Sequence, residues 1–298
     1  MIMSLMSKLL MSTVVATVAF NTTIQADTKK PENNIVEPMV KQKQPDVKDL
    51  VKYIRTSVVR NPQVDIKGLT VIESKYPKDL PGWNVLLTMI DLEYQKKPIH
   101  APEIMFVKDG LITSSLVNLK TGEDYRNTIK PKVPNSLYND AHLLFGNKNA
   151  AHKLLVFSDP MCPFCRDIVP GIMKAAKENP SKIALYYYHL PLLRIHPVSG
   201  VLTRVMHEAQ KANKLDVVEK MYTLDIDARE TNTTKILSAV QKHTGYTISK
   251  KELDDKELNK EMKADEDSAG RMMVNGTPTV YVDGVWDKSR KKYQTFIK

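Results

Sequence analysis

Hydrophobic and polar positions divide the chain into two stretches that follow different periods. Between Asp46 and Arg60, Leu50, Val51, Ile54 and Val58 recur at helical spacing behind Asp46, a good N-cap residue, which predicts a helix there. The period then changes. Trp83–Ile90 is a strand-like apolar run, and Ile104–Val107 and Leu111–Val117 flank Asp109-Gly110. Asp-Gly between apolar runs predicts a hairpin, because a type I′ turn needs positive φ at both central residues. The first stretch is therefore one helix followed by a small antiparallel sheet that ends near Tyr125. Pro131 and Pro134 break regular structure, and Ser136–Phe145 is expected to form a helical connector.

In the second stretch, Lys153–Ser158 is a short apolar strand, followed by a helix over about Pro163–Glu178 and a strand over Ile183–Tyr188. A long helical stretch is expected from about Pro197 to His243, where Leu202, Val205, Met206 and Ala209 share one face. Further helix covers much of Lys250–Met273. Thr277–Val282 is a strand, Asp283-Gly284 a second hairpin turn, Val285-Trp286 the start of its partner, and a terminal helix is expected to close the chain. No internal repeat stands out.

The 298 residues leave room for about two domains. A content of 42% apolar and 26% charged residues is that of an ordinary globular chain. The first residues depart from it. Lys8 precedes the apolar stretch Leu9–Phe20, and a polar region follows that ends in Ile24-Gln25-Ala26. A positive start, about a dozen apolar residues and a small residue at the end predict a secretory signal cut after about Ala26. The run is short of the ~20 apolar residues that span a bilayer, and no cysteine near the cut would carry a lipid anchor. Asp27–Pro45, rich in Lys, Pro, Asn and Gln, is expected to be a mobile lead-in. The formal charge of +10 comes from lysines scattered among acids, as in Lys211–Lys220 and Lys250–Lys263. Without an arginine-rich arm, this is a solvated basic surface and not a nucleic-acid footprint.

The two cysteines, Cys162 and Cys165, change the picture most. A disulfide between them would close a tiny loop and remove little unfolded-state entropy, so a structural staple is badly placed here. They sit just after an apolar strand and in the first turn of a helix. Unpaired backbone N–H groups and the helix dipole favour a thiolate there. Cysteines so placed have pKa values of roughly 3.5–7.5 against about 8.5 for a free thiol. That assigns Cys162 as the attacking thiolate and Cys165, one turn inward, as the resolving thiol. Pro163 fits the first helical position, where its missing N–H costs nothing. The alternative, half of a zinc site, needs two more ligands. His142, His152, His189 and His196 form no paired motif, so no metal site is expected, although His189 and His196 near Pro191 are candidates for lining the cysteine pair. The second element is Gly276-Thr277-Pro278-Thr279 ahead of the strand Val280-Tyr281-Val282. Proline opening a strand is tolerable because no ladder donor is needed there.

The order strand–helix–strand, helical segment, strand–strand–helix is that of a thioredoxin fold with an all-helical insertion at about 196–273. Ser158-Asp159-Pro160-Met161-Cys162-Pro163-Phe164-Cys165, together with Thr277-Pro278, resembles the bacterial periplasmic Dsb proteins, nearest the DsbG/DsbC branch. The motif resemblance covers roughly Lys153–Pro170 and Asn275–Val282; residues 46–130 are similar in organisation only. It implies an α+β architecture: a small cystatin-like dimerisation domain at 46–130, a linker helix at 131–150, and a thioredoxin-like catalytic domain at 151–298. It implies a cis Thr277-Pro278 bond that faces the cysteines and exposes the Thr277 backbone to an extended substrate, with Pro163, Phe164, Thr277 and Pro278 tuning the pair or touching substrate. No cofactor beyond the redox-active disulfide Cys162–Cys165 is implied. The implied partners are unfolded or misoxidised exported proteins, a membrane redox partner that recharges the pair, and a second copy of the chain, all in the periplasm.

Two departures bear on direction. The buried acid found six residues before the first cysteine in thioredoxin and DsbA is here Val156, and the histidine between the cysteines of DsbA-type oxidants is here Phe164. A neutral ring cannot hold a thiolate as an imidazolium can, so a less extreme oxidant than DsbA is expected. Thr277 before the proline agrees in kind with the isomerase branch, and a disulfide isomerase or reductase is the expected function. A DsbA-like dithiol oxidase and a holdase-like chaperone module are the alternatives.

Overall fold

The computed structural model describes residues 45–297, so the expected secretory signal and nearly all of the lead-in lie outside the described residues. Helix α1 (Val47–Tyr53) is capped by the Asp46 side chain, which accepts from the N–H of Lys48, and it runs on into a π-helical turn over Ile54–Val58. Four strands follow, β1 (Val64–Lys75), β2 (Asn84–Tyr94), β3 (Lys97–Lys108) and β4 (Leu111–Thr113), antiparallel and in sheet order β1-β2-β3-β4. Asp109 and Gly110 take φ of 50° and 77°, the geometry the Asp-Gly pair predicts. The β2–β3 turn uses Gln95 and Lys96 at φ 50° and 62°, with no glycine to announce it. Strand β1 is also silent in the sequence, because its register shifts between Ile66 and Gly68 and again between Val71 and Glu73 interrupt alternation.

Both faces of this sheet are covered, which explains the continuous apolar runs in β2 and β3. On one face Leu50 and Ile54 of α1 pack with Leu86, Ile90 and Met105. On the other, Val85, Leu87, Ile104 and Phe106 receive Leu80 and Met273, the latter from the far end of the chain. Beside Met273, the buried Lys130 ammonium donates to the Met273 carbonyl and, at 3.2 Å, to Asn275 Oδ1. Burial lowers the pKa of Lys130 to about 8.

The second sheet has five strands in the order β5-β7-β6-β8-β9: β5 (Leu143–Phe145), β6 (His152–Ser158), β7 (Ile183–His189), β8 (Thr279–Val282) and β9 (Val285–Trp286). Only β6 and β7 pair in parallel, joined by α2 (Pro163–Glu178). Between β7 and β8 lie α3 (Ser199–Lys211), α4 (Leu215–Lys220), α5 (Thr233–Thr244), α6 (Lys250–Leu253) and α7 (Lys256–Arg271). One face of the sheet packs against α2, α3 and α5, the other against Leu137, Ala269 and Met272.

Three expectations need correction. The linker at 131–150 is not a helix: Asn135–Leu137 is one 3-10 turn and Leu143–Phe145 is strand β5, paired antiparallel to β7. Three consecutive apolar residues satisfy a buried strand as well as a helix, and burial against β7 decides it. The stretch 197–243 is not one helix. Asn213 breaks it at φ 56°, and α5 starts afresh behind the Asn232 cap. The last described element is a 3-10 turn at Lys292–Thr295 and not a longer helix: Arg290, at φ 59°, breaks helical geometry just before it, while the Asp287 carboxylate accepts the N–H groups of Ser289 and Lys292.

Gly146 takes φ +85°, and a Cβ there would lie 1.8 Å from the carbonyl oxygen of Ile183 on β7. Positive φ costs an L-residue roughly 1–2 kcal/mol, and the clash with strand backbone adds to it. Gly146→Ala is expected to lower the unfolding free energy by more than about 2 kcal/mol in urea titrations. Gly122→Ala, at φ +71° with open space around it, should lose only the conformational part.

Candidate active site

Strand β6 delivers the chain to Ser158, and Asp159-Pro160-Met161 turns it so that Cys162 becomes the N-cap of α2 with Pro163 in its first turn. The turn is fixed by a carboxylate sealed from solvent. Asp159 Oδ1 accepts the N–H of Met161 at 2.8 Å and the hydroxyl of Ser199 at 2.6 Å. Its Oδ2 accepts the N–H of Leu192 at 2.8 Å and lies 3.0 Å from His196 Nδ1. Arg166, one turn into α2, donates through Nε to the Pro160 carbonyl at 2.8 Å and through Nη2 to the Leu224 carbonyl at 2.7 Å. These bonds tie the turn before Cys162 to the segment after β7. An Asp-Pro pair after a strand signals a turn, but partners 33 to 40 residues away are not legible in sequence.

Cys162 and Cys165 are unbonded thiols, the first 5% exposed and the second wholly enclosed. Strand β8 pairs with β6, which brings the residues entering it to the cysteines: the Thr277-Pro278 bond is cis, and Cys162 Sγ lies 3.4 Å from the Thr277 carbonyl oxygen, to which it donates while it is a thiol. Phe164 points away from the pair, 64% exposed. The structure thus gathers Cys162, Pro163, Cys165, Thr277 and Pro278 and leaves Phe164 at the rim. His196 lies under the turn, bonded to Asp159, whereas His189 is buried beside His207.

The two thiols are pushed in opposite directions. Cys162 falls from 9.0 to about 5, chiefly because it accepts from the Cys165 thiol, against the opposing effect of burial. Backbone N–H groups of Cys165 and Phe164 contribute in the same sense, as the start of a helix should. The buried Thr277 hydroxyl has no hydrogen-bond partner among the described residues. Cys165 rises far above the ordinary thiol range, first because it is buried and second because its proton is held by Cys162. A thiolate on the less buried sulfur and a proton on the fully enclosed one is the arrangement nucleophilic exchange requires.

Beneath Cys165 the polar groups are hydroxyls. Ser158 Oγ reaches the Cys165 thiol and lies 2.6 Å from Tyr222 OH, which lies 2.6 Å from Tyr187 OH. Burial raises both phenols, so they stay neutral. Val156 is fully buried and offers no carboxylate there. Sequence reasoning missed this cluster because Tyr222 comes from the segment between α4 and α5.

The family model described as "Thioredoxin" matches residues 138–298, more than half of the chain. The "Probable disulfide bond formation protein D" of Bacillus anthracis is 25% identical over 148 residues, covering 47% of this chain and 68% of that protein. Among solved structures, BdbD from Bacillus subtilis in its oxidised form shares 21% identity at a TM-score of 0.44, covering 56% of this chain and 92% of that one. ScsC from Proteus mirabilis in a compact conformation also shares 21%, at a TM-score of 0.42, over 54% of this chain and 72% of that one. On the match over residues 138–298, the chain belongs to the thioredoxin family.

Proposed function

We propose that this chain is an exported thiol–disulfide oxidoreductase that acts on client proteins as an isomerase or reductase, with Cys162 attacking and Cys165 resolving. The observation that carries the exchange chemistry, common to either direction of electron flow, is the opposite displacement of two thiols within one pair. The Cys162 thiolate attacks a client disulfide, forms a mixed disulfide and releases one client sulfur as a thiolate, which takes a proton from solvent. A second client thiolate can then displace Cys162, leaving a rearranged client and a reduced enzyme. Alternatively Cys165 gives up its proton to the released sulfur or to water and attacks Cys162 Sγ. The products are then a reduced client and the Cys162–Cys165 disulfide, which a membrane thiol partner must reduce again.

Phe164 between the two cysteines supports this direction of electron flow, since a neutral ring adds no charge that would hold the thiolate further, and Val156 offers no carboxylate to relay the Cys165 proton. The resemblance to the DsbG/DsbC branch points the same way. We read β1–β4 with α1 as a cystatin-like dimerisation and client-holding domain, and α3–α7 as an insertion in the thioredoxin core. Among the described residues, strand β1, with 12 residues, pairs along one side, with β2. Exposed Phe164, Leu193 and Ile195 offer apolar contact for unfolded clients on the two segments that Asp159 ties together. Periplasmic location rests on the secretory signal, and no described helix is long and apolar enough to cross a membrane. A second reading, a dithiol oxidase, is favoured by the acidity of Cys162, which stabilises the reduced form, and by the name of the Bacillus relative. Trapping free thiols in cells separates the two: reduced cysteines support the isomerase or reductase, bonded ones the oxidase.

Cys162→Ser is expected to abolish exchange, and Cys165→Ser to accumulate mixed disulfides on non-reducing gels; the reverse pattern would exchange the two roles. Alkylation of the reduced chain should follow a Cys162 titration near pH 5. Because that pKa is depressed, the thiolate's contribution to the stability of the reduced fold is complete above the ordinary thiol value of 9.0 and lost as pH falls to about 5. Parallel melts should therefore show the reduced form losing ground to the oxidised form as pH falls through that window.

The mature chain is expected to sediment as a dimer, and a monomer at micromolar concentration would remove the dimerisation role.

Phe164→His would bring a partly cationic donor to the same helix start. Charge-assisted hydrogen bonds are worth about 1.5–3 kcal/mol, less at this exposed position, and ~1.4 kcal/mol corresponds to about 30 mV for a two-electron couple. A glutathione equilibrium should show a shift of tens of millivolts toward a stronger oxidant, with Cys162 titrating lower. If neither moves, residue 164 does not set the couple.

A further inference from the structure

We propose that His189, His207 and Asp265 form a binding site for one divalent transition-metal ion of the zinc type, separate from the cysteine pair. The three come from different elements: the last residue of β7, the face of α3 that packs inward, and the middle of α7. Each offers one ligand atom, and these atoms lie within 4.8 Å of one another, all on buried residues. Zinc bonds of about 2.0–2.2 Å to nitrogen and oxygen need the ligand atoms roughly 3.5 Å apart, so closing the site takes about an ångström of side-chain movement.

His189 is what points to a ligand. It is 1% exposed, and neither ring nitrogen has a hydrogen-bond partner among the described residues. A buried polar atom left so costs about 1–3 kcal/mol, and an apolar residue would fill the same space without that cost. A metal ion takes the lone pair of one nitrogen. The surroundings fit the same use. Asp265, 1% exposed, is oriented by His142 Nε2 at 2.7 Å from Oδ1 and by the N–H of His189, which donates to Oδ2 at 2.9 Å. Glu261 Oε2 lies 3.0 Å from His207 Nε2 and is itself held by Lys211 Nζ at 2.9 Å. Ligands buttressed by outer hydrogen bonds are the usual build of a metal site. Two imidazoles and one carboxylate are a donor set suited to zinc, with water in the fourth position. The ion would pin α3 and α7 to the end of β7, three residues before Leu192, whose N–H holds Asp159.

The test uses the untagged mature chain, oxidised so that Cys162 and Cys165 cannot ligate, stripped with chelator and then given one equivalent of Zn²⁺. Metal analysis after gel filtration should find close to one zinc per chain, with a raised melting temperature. X-ray absorption should show two imidazoles and no sulfur. His189→Gln/His207→Gln, checked for folding by circular dichroism, should retain almost none. The proposal is overturned if the folded oxidised chain retains no zinc, which leaves a water between the rings, if sulfur appears in the shell, or if the folded double variant binds as the parent does. The first two measurements decide the matter even where the variant does not fold.

Discussion

A carboxylate closed off from water has to be given donors, and Asp159 takes two backbone N–H groups, a hydroxyl and an imidazole. Removing a charge from water costs several kcal/mol unless such bonds replace the solvent. The turn before Cys162 is therefore not free to wander. The backbone that ends β6, the segment after β7 and the start of α3 must stay together for Asp159 to stay satisfied. The cysteine pair inherits that rigidity. Cys162 is set at the helix start where N–H groups face it, and Cys165 is driven one turn inward behind it.

From this placement the chemistry follows by asymmetry. Both cysteines belong to one turn of one helix, yet one meets N–H groups and a thiol donor while the other meets apolar core and hydroxyls. Desolvation opposes ionisation at each, but only Cys162 has enough donors to overcome it. Val156 supplies no carboxylate, and the Ser158–Tyr222–Tyr187 hydroxyls give Cys165 polar neighbours that carry no charge of their own. The first sheet meets this region through Met273 and Lys130, which hold the loop that leads into cis Thr277-Pro278.

Several features were legible in the sequence because they are local. The Asp46 cap, the Asp109-Gly110 and Asp283-Gly284 turns, the boundaries of α2 and the place of Cys162 at a helix start depend on neighbours within a few residues. Dihedral preference, capping and helix-start electrostatics act over that range. Apolar runs were less decisive. Leu143–Phe145 reads as well for a helix as for a strand, and the length of the stretch 197–243 hides its break at Asn213.

By itself, then, the sequence determined the thioredoxin order of elements, the cysteine pair at a helix start and the proline at the entry to a strand. Only the tertiary structure decided that Asp159 anchors the turn, that Tyr222 and Tyr187 lie beneath Cys165, that Met273 completes the core of the first sheet, and that His189, His207 and Asp265 meet. The reason is the same for all four. Burial removes water as a partner, so each polar group must find another wherever the fold brings one, at separations up to 76 residues for His189 and Asp265. Local pattern carries no record of such distant pairings.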